Sequence, residues 1–119
     1  MIRLIFSALK AGISVGSHSV SHRILPRLSD NDIQHELFHS RWLVTEKTGA
    51  GVTTIAYPNG DFDDRTARIA AHTGYKAGFT TRRGYVDKTS NAFVLPRLNI
   101  HNGNSGSAAR FMATLLRLF

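Results

Sequence analysis

The sequence predicts an α/β fold with a mainly parallel sheet. Short apolar runs that suit buried strands alternate with longer segments that carry apolar residues at helical spacing. No hairpin turn signal joins two of the strand-like runs, so neighbouring strands are expected to connect through helices and to run in the same direction. The chain has 119 residues, of which 42% are apolar, and this is enough for a core. We therefore expect residues 1–119 to form a single domain.

The first part of the chain predicts two helices with a strand between them. Residues 2–10 indicate the end of an amphipathic helix, and residues 13–16 a short buried strand. Residues 28–49 predict a long helix with Ser29 as its N-cap and Gly49 as its C-terminal stop. The apolar residues expected to bury this helix are Ile33, Leu37, Phe38, Trp42 and Val44.

The second part continues the alternation with three strands and two helices. Strands are predicted over residues 52–58, 75–81 and 93–100, with Pro96 interrupting the last of them. A helix is predicted between the first two strands, with Asp61 or Asp63 as its N-cap and Gly74 as its stop. A final amphipathic helix over residues 107–119 carries one apolar stripe, formed by Phe111, Leu115 and Leu118.

Composition and charge narrow the possible classes of function. The chain carries 15 Lys and Arg against 8 Asp and Glu, a net charge of +7. A basic chain favours anionic partners, but these charges are scattered and form no long run of one sign. We therefore expect a solvated basic surface and no nucleic-acid partner. The absence of cysteine excludes disulfides and thiolate metal sites.

Targeting signals are weak in this sequence. No stretch approaches the ~20 apolar residues of a membrane span. The apolar run over residues 4–9 is shorter than the ~7–15 residues of a signal-peptide core. We therefore expect no membrane span and no signal peptide, with the cytoplasm as the default compartment.

Two histidine pairs are candidate metal ligands, and the first lies in GISVGSHSVSH. There His18 and His22 are four residues apart, directly after a predicted strand. The carboxyl ends of parallel strands form the functional face of α/β folds, and imidazole suits Zn²⁺ and neighbouring transition metals. The same spacing also arises by chance on loops and helices. The position after a strand is what favours a metal site.

The second pair lies in HELFH, residues 35–39, which matches the H-E-x-x-H pattern of zinc proteases. In those enzymes two histidines on one helical face bind zinc, and the glutamate is the general base. Here Ser40 and Arg41 follow at once, and no convincing third ligand stands on a following helix. An exposed polar helix face is therefore the better interpretation, and a small metalloprotease is the alternative.

Several motifs, in the right order, resemble the polysaccharide deacetylase family, the NodB-homology domains among the carbohydrate esterases. GISVGSHSVSH resembles the family's second motif, a strand followed by H-[ST]-x-x-H, and IAYPNGDFDD resembles its third motif. The helix LSDNDIQHELFHSRWLVTEKTG is similar to the family's next helix, in which Glu36 is an ordinary helix residue. GYKAGFTTRRG and FVLPRLNIH resemble the segments that follow.

The resemblance implies a partial, distorted (β/α) barrel and a metal-dependent hydrolysis that removes N-acetyl groups from a glycan. It implies that His18 and His22 bind a divalent metal, with zinc as the expected ion. It also implies that the turn formed by Tyr57, Pro58 and Gly60 lines the substrate groove. The Tyr57 backbone N–H is expected to help hold the oxyanion.

The chain also departs from the family pattern. The first motif, a strand ending in Thr-Phe-Asp-Asp-Gly that supplies the third metal ligand and the catalytic base, is absent, so we expect a truncated domain. The DFDD stretch at 61–64 follows the third motif and starts a helix, so its aspartates are not assigned those roles. Ala56 stands where many relatives have Arg. His101 is the one histidine near the region of the family's general acid, and it is the candidate for that role.

These observations lead to one expected function and two alternatives. We expect a polysaccharide deacetylase-like hydrolase whose activity is impaired in this chain alone. The first alternative is a non-catalytic remnant of the same fold that binds glycan or protein, and the second is the HELFH metalloprotease. Exposed strand edges of a partial barrel also predict association into homo-oligomers.

Overall fold

A computed structural model describes the backbone of residues 2–116 and the side chains of residues 6–116. Its helices are α1 (Ile2–Lys10), α2 (Asp30–Thr48), α3 (Asp64–His72), α4 (Asn102–Ser105) and α5 (Ala108–Leu115). Its strands are β1 (Thr54–Ala56), β2 (Ala77–Arg83) and β3 (Leu95–Arg97), and short 3₁₀ turns lie at Leu25–Arg27 and Pro58–Gly60. Leu118, expected on the stripe of the final helix, lies outside the described residues. Among the described helices, none is both long enough and apolar enough to cross a membrane.

The described strands form one parallel sheet in the order β1-β2-β3. Ser17 adds a parallel bridge on the other edge of β1. Its N–H donates to Thr54 O at 2.8 Å, and its carbonyl accepts from Ala56 N at 2.9 Å. Because parallel strands end at the same edge of a sheet, the residues after Ser17 and after Ala56 emerge side by side. The predicted α/β fold with a mainly parallel sheet is confirmed.

Two strand predictions need correction. Residues 13–16 form no strand: Ile13 is 60% exposed, and its N–H donates to Ala8 O at the end of α1 rather than to the sheet. Of residues 13–17, only Ser17 forms backbone hydrogen bonds with β1. The predicted strand over 93–100 shrinks to β3, and Pro96 lies inside it instead of interrupting it. A proline is tolerated there because β3 is an edge strand of the described sheet.

Helix α2 begins and ends where its capping residues predict. The Ser29 side chain accepts from Asp32 N, and Gly49 closes the helix in the left-handed conformation with φ 69°. Ile33 and Leu37 are fully buried in the hydrophobic core, and Val44 is partly buried against the same cluster. The buried core consists of Leu25, Ile33, Leu37, Val52, Ile55, Tyr57, Ala70 and Tyr75.

The expected burial of Phe38 and Trp42 is wrong. Phe38 is 56% exposed and Trp42 is 47% exposed. The buried stripe that starts at Ile33 and Leu37 widens in the other direction, through Glu36 and Ser40. The face of α2 next to the apolar stripe is therefore polar, and it packs on the loop that contains the first histidine pair.

Helix α5 packs through a polar contact rather than through the expected apolar stripe. Phe111 is 40% exposed, and Leu115 is only partly buried. The buried residue of the helix is Thr114, whose hydroxyl donates to Asn104 O at 2.8 Å. The α5 helix therefore docks on α4 through this hydrogen bond.

Asp63, one of the two expected caps of α3, supports a first prediction. Its Oδ1 accepts from both the N–H and the hydroxyl of buried Thr66, at 2.7 Å each. Replacing Asp63 by Ala is expected to lower the free energy of unfolding by about 1–2 kcal/mol. Urea unfolding of the wild type and Asp63→Ala measures this difference.

The same difference is expected to depend on pH. Burial alone would raise the pKa of Asp63, but the bonds from Thr66 and two neighbouring arginines hold the pKa below its usual value. The unfolded state then binds more protons in acid, so the stabilisation is present at neutral pH and fades as the pH falls through the folded-state pKa. A difference that stays constant in acid would contradict this assignment.

Candidate functional site

The first histidine pair lies in a loop at the carboxyl edge of the sheet. The ring centroids of His18 and His22 are 4.8 Å apart, and the rings meet edge to face. His18 Nδ1 is 2.7 Å from Ala56 O, at the end of β1. A carbonyl can only accept, so Nδ1 is the donor, and in the neutral form of the ring the lone pair is on Nε2. Metal-binding histidines are typically oriented in this way.

The loop between the two histidines has an unusual backbone. Ser19 and His22 adopt the left-handed conformation, with φ 65° and 59°. This conformation is uncommon for residues other than glycine and must be stabilised by its surroundings. Ser19 N donates to Ser17 Oγ at 3.3 Å, and His22 N donates to Ser19 Oγ at 3.1 Å. The two serine hydroxyls thus support the turn from within.

Glu36 stabilises the middle of this loop from helix α2. Its carboxylate accepts from Val20 N at 2.9 Å, Ser21 N at 3.0 Å and Ser21 Oγ at 2.5 Å, and only 5% of the residue is exposed. Burial alone would raise the pKa of Glu36, but these hydrogen bonds and the charge of Arg23 hold the pKa below its usual value. The expectation that Glu36 is an ordinary helix residue is wrong. Its position three residues after buried Ile33 is the sequence signal that could have revealed it.

A second contact from α2 holds the base of the loop. Ser40, one turn after Glu36, lies 2.6 Å from Ser17 through their hydroxyl oxygens. Ser40 Oγ also donates to Leu37 O at 3.1 Å, and Tyr75 OH donates to the same carbonyl at 2.8 Å. Helix α2 therefore fixes the loop at two points, Ser40 at the base and Glu36 at the middle.

The HELFH segment does not form the site its pattern suggests. His35 and His39 stack with ring centroids 5.3 Å apart, and His39 also stacks on exposed Trp42. The Glu36 carboxylate accepts hydrogen bonds from Val20 and Ser21 in the loop of the first histidine pair. The glutamate is committed to backbone and hydroxyl donors, so it is not placed as a base between His35 and His39.

The turn after β1 begins at Tyr57, whose side chain is buried in the core. Tyr57 is 2% exposed, its hydroxyl donates to Phe93 O at 2.8 Å, and burial raises its pKa to about 12. Its backbone N–H donates to Phe79 O at 3.0 Å. That N–H is already part of the sheet, so the expectation that it holds an oxyanion is wrong. The Tyr57 side chain lies in the core rather than in an open groove.

Beyond Tyr57, the turn is exposed at Asn59 and partly exposed at Gly60. Asn59 and Gly60 adopt positive φ angles of 58° and 75°. A Cβ at Gly60 would collide with the Thr81 side chain, so only glycine fits there. Pro58 is buried beside Tyr57. That Tyr57, Pro58 and Gly60 line a substrate groove stays a prediction.

His101 lies at the start of α4. Its Nδ1 accepts from Gly103 N at 3.1 Å, and its own backbone N–H donates to Asn104 Oδ1 at 2.9 Å. These two bonds form a capping box for the short helix. The side chain is exposed. Its role as general acid stays a prediction, and the cap explains its local conformation.

The histidine pair fits two positions of a divalent-metal site, but not a complete one. The pair supplies two imidazoles. In one of them, His18, the bond from Nδ1 to Ala56 O leaves Nε2 as the nitrogen that could bind a metal. Among the side chains of residues 6–116, no group of three or more His, Cys, Asp or Glu could hold a metal ion. A hydrolytic zinc site uses three protein ligands and a water. A third ligand from outside this set is needed.

Comparison with known proteins identifies the family. A family model described as "Polysaccharide deacetylase" matches residues 3–78. The chain belongs to the polysaccharide deacetylase family. It is 34% identical over 97 residues to "Putative polysaccharide deacetylase YxkH" of Bacillus subtilis (strain 168), covering 82% of this chain and 35% of that protein.

Two solved structures extend the comparison. Streptococcus pyogenes deacetylase PplD, in complex with acetate, matches with a TM-score of 0.87 and 26% identity over 96% of this chain and 50% of that chain. BA3943 from Bacillus anthracis, described as a pseudoenzyme of carbohydrate esterase family 4, matches with a TM-score of 0.59 and 26% identity over 65% of this chain and 27% of that chain. The chain thus spans half or less of each relative. The expected partial NodB-type fold is confirmed.

Proposed function

We propose that this polysaccharide deacetylase family member takes part in metal-dependent removal of N-acetyl groups from a glycan. Family membership supports hydrolysis of an amide C–N bond, and PplD, a deacetylase, has the same fold around the same part of the chain. The arrangement of His18 at the carboxyl edge of the sheet carries the proposal. A protonated Nδ1 on Ala56 O leaves Nε2 available for an ion.

The residues of this chain would divide the work as follows. His18 and His22 would hold a divalent ion, with zinc the best match for two imidazoles, and the carbonyl of Ala56 orients the first ring. Such an ion, when bound, would supply polarisation of the acetamide carbonyl and a more acidic water. The turn at Pro58 and Gly60 lies directly after Ala56 and would position the sugar. His101 is proposed to donate a proton to the leaving amine.

The proposal requires a carboxylate beyond the described residues. In the family, the Thr-Phe-Asp-Asp-Gly motif supplies the third ligand and the base. Asp63, in the only similar stretch of this sequence, accepts two hydrogen bonds from Thr66 at the start of α3. Asp63 therefore serves as a helix cap, and we propose that full activity depends on an added Asp-Asp segment.

A non-catalytic, glycan-binding role is the second candidate. The incomplete donor set around His18 and His22 favours it, as does the similarity to the BA3943 pseudoenzyme. In that role the net charge of +7 would favour an anionic glycan. Glycan binding that survives His18→Ala would support this candidate. The protease alternative has no support, since the Glu36 carboxylate is engaged by Val20 and Ser21 in the loop of the first histidine pair.

Zinc titration by calorimetry tests the proposed metal ligands. The wild type is expected to bind zinc weakly through two imidazoles, and His18→Ala is expected to lose most of that affinity. Binding should also weaken in acid, because a protonated imidazole cannot ligate. His35→Ala is the matched control, since it removes one histidine from the other pair. Equal binding by the wild type and His18→Ala would exclude the proposed pair, and loss on His35→Ala would move the site to α2.

A further inference from the structure

The Glu36 carboxylate is a buried charged group that the proposed chemistry does not use. It comes from helix α2 and accepts from Val20 N, Ser21 N and Ser21 Oγ. These donors lie between the two candidate metal ligands in sequence. Both neighbours of the segment, Ser19 and His22, hold positive φ angles. The carboxylate therefore binds the loop between its two positive-φ residues.

We propose that Glu36 is a positioning residue for the metal-binding histidines, in particular for His22. This inference rests on the proposed function, since it assumes that the pair binds a metal. His18 has an anchor of its own in Ala56 O. The backbone N–H of His22 donates to Ser19 Oγ, inside the same loop, so its position depends on the loop conformation. Without the carboxylate, two amides of the loop lose their acceptor and the turn relaxes.

Glu36→Gln tests the charge of the side chain separately from its shape, because glutamine has nearly the same size but no negative charge. Both amide donors reach the same oxygen, Oε2, while Ser21 Oγ meets Oε1. In Glu36→Gln the amide oxygen can accept from both backbone donors, and its NH₂ group can donate to the Ser21 hydroxyl. The three contacts are then kept in a neutral, weaker form. Glu36→Ala removes all of them.

The test combines hydrogen exchange with zinc titration of the 119-residue chain. In Glu36→Ala, the amides of Val20 and Ser21 are expected to exchange faster, while amides of β2 keep their protection. Zinc affinity should fall by about 10–100-fold, as for other groups that orient metal ligands. Glu36→Gln should restore most of both. Glu46→Ala, an exposed glutamate on the same helix, is the matched control and should match the wild type.

Two results would overturn the inference. Unchanged exchange at Val20 and Ser21, or unchanged zinc affinity, in Glu36→Ala would show that the carboxylate does not position the pair. Faster exchange across β2 as well would show a purely structural role. Should Glu36→Ala fail to fold, Ser21→Ala removes one of the three bonds and must show a smaller change in the same direction. If His18→Ala binds zinc like the wild type, the proposed function fails instead, and the separate exchange result still decides whether Glu36 holds the loop.

Discussion

Acetate release from a chitin or peptidoglycan oligomer is expected to be at least about 100-fold slower with the 119-residue chain alone than with the same chain supplied with a Thr-Phe-Asp-Asp-Gly segment. The described residues offer two imidazoles and no third ligand for a metal. Loss of a catalytic base alone typically costs about 10²–10⁴-fold in rate. The proposed metal site also lacks a third ligand among the described residues, so the two losses should compound. Zinc affinity should rise together with turnover when the segment is added.

A segment with both aspartates changed to asparagine is the matched control for this experiment. It keeps the length and shape of the addition while removing the negative charges that a zinc ion needs. His18→Ala with the active segment should also remain inactive. Robust, metal-dependent turnover by the chain alone would mean that Asp61 or Asp63 has taken the missing role, and Asp61→Asn would then identify which. Our account of an incomplete site would be wrong.

Helix α2 shows how much of the fold was predictable from local chemistry. The helix begins after Ser29 and ends at Gly49, as expected. An N-cap needs only a hydroxyl near a free N–H, and a C-cap needs only a residue that tolerates positive φ. Ile33 and Leu37 are buried as their spacing predicts. These features depend on residues close in sequence, so the pattern is sufficient.

The errors arose where a distant partner decides the outcome. Residues 13–16 have strand-like composition, but the sheet hydrogen bonds begin only at Ser17. Phe38 and Trp42 were expected inside because they are apolar, yet α2 meets the histidine loop through polar residues next to its apolar stripe. A sequence pattern shows that a face can be buried, and the packing of other segments decides which face is.

The candidate site divides in the same way. The motif singled out His18 and His22, and the structure brings their rings together just after the bridge that Ser17 forms to β1. Their role as metal ligands stays a prediction. The carbonyl that orients His18 comes from a residue 38 positions away, and the carboxylate that holds the loop comes from α2. Those contacts cross between elements. Periodicity within one segment could not reveal them.

Gly78→Ala is expected to destabilise the protein by about 2–4 kcal/mol, from overpacking and from loss of a buried hydrogen bond. A Cβ at this buried position in β2 would overlap the Tyr57 hydroxyl and lie 2.7 Å from Tyr57 Cζ. The Tyr57 ring cannot move aside easily, because it is buried, and its hydroxyl donates to Phe93 O at 2.8 Å. Gly51→Ala is the control, since a Cβ there meets nothing within 4 Å. Urea unfolding of both variants measures the difference.

A double-mutant cycle then tests whether the cost of Gly78→Ala comes from overlap with the Tyr57 hydroxyl. Tyr57→Phe alone should cost about 1 kcal/mol for the lost bond to Phe93 O. Combined with Gly78→Ala it should cost less than the sum, because removing the hydroxyl relieves the worst overlap. Zinc affinity should not change in Tyr57→Phe, since the lost hydroxyl bonds to Phe93 O, whereas His18 is held by Ala56 O. If the unfolding free-energy changes of the two substitutions simply add, the cost of Gly78→Ala does not come from overlap with the Tyr57 hydroxyl. A loss of glycan binding in Tyr57→Phe without loss of stability would indicate that the Tyr57 hydroxyl contacts the substrate.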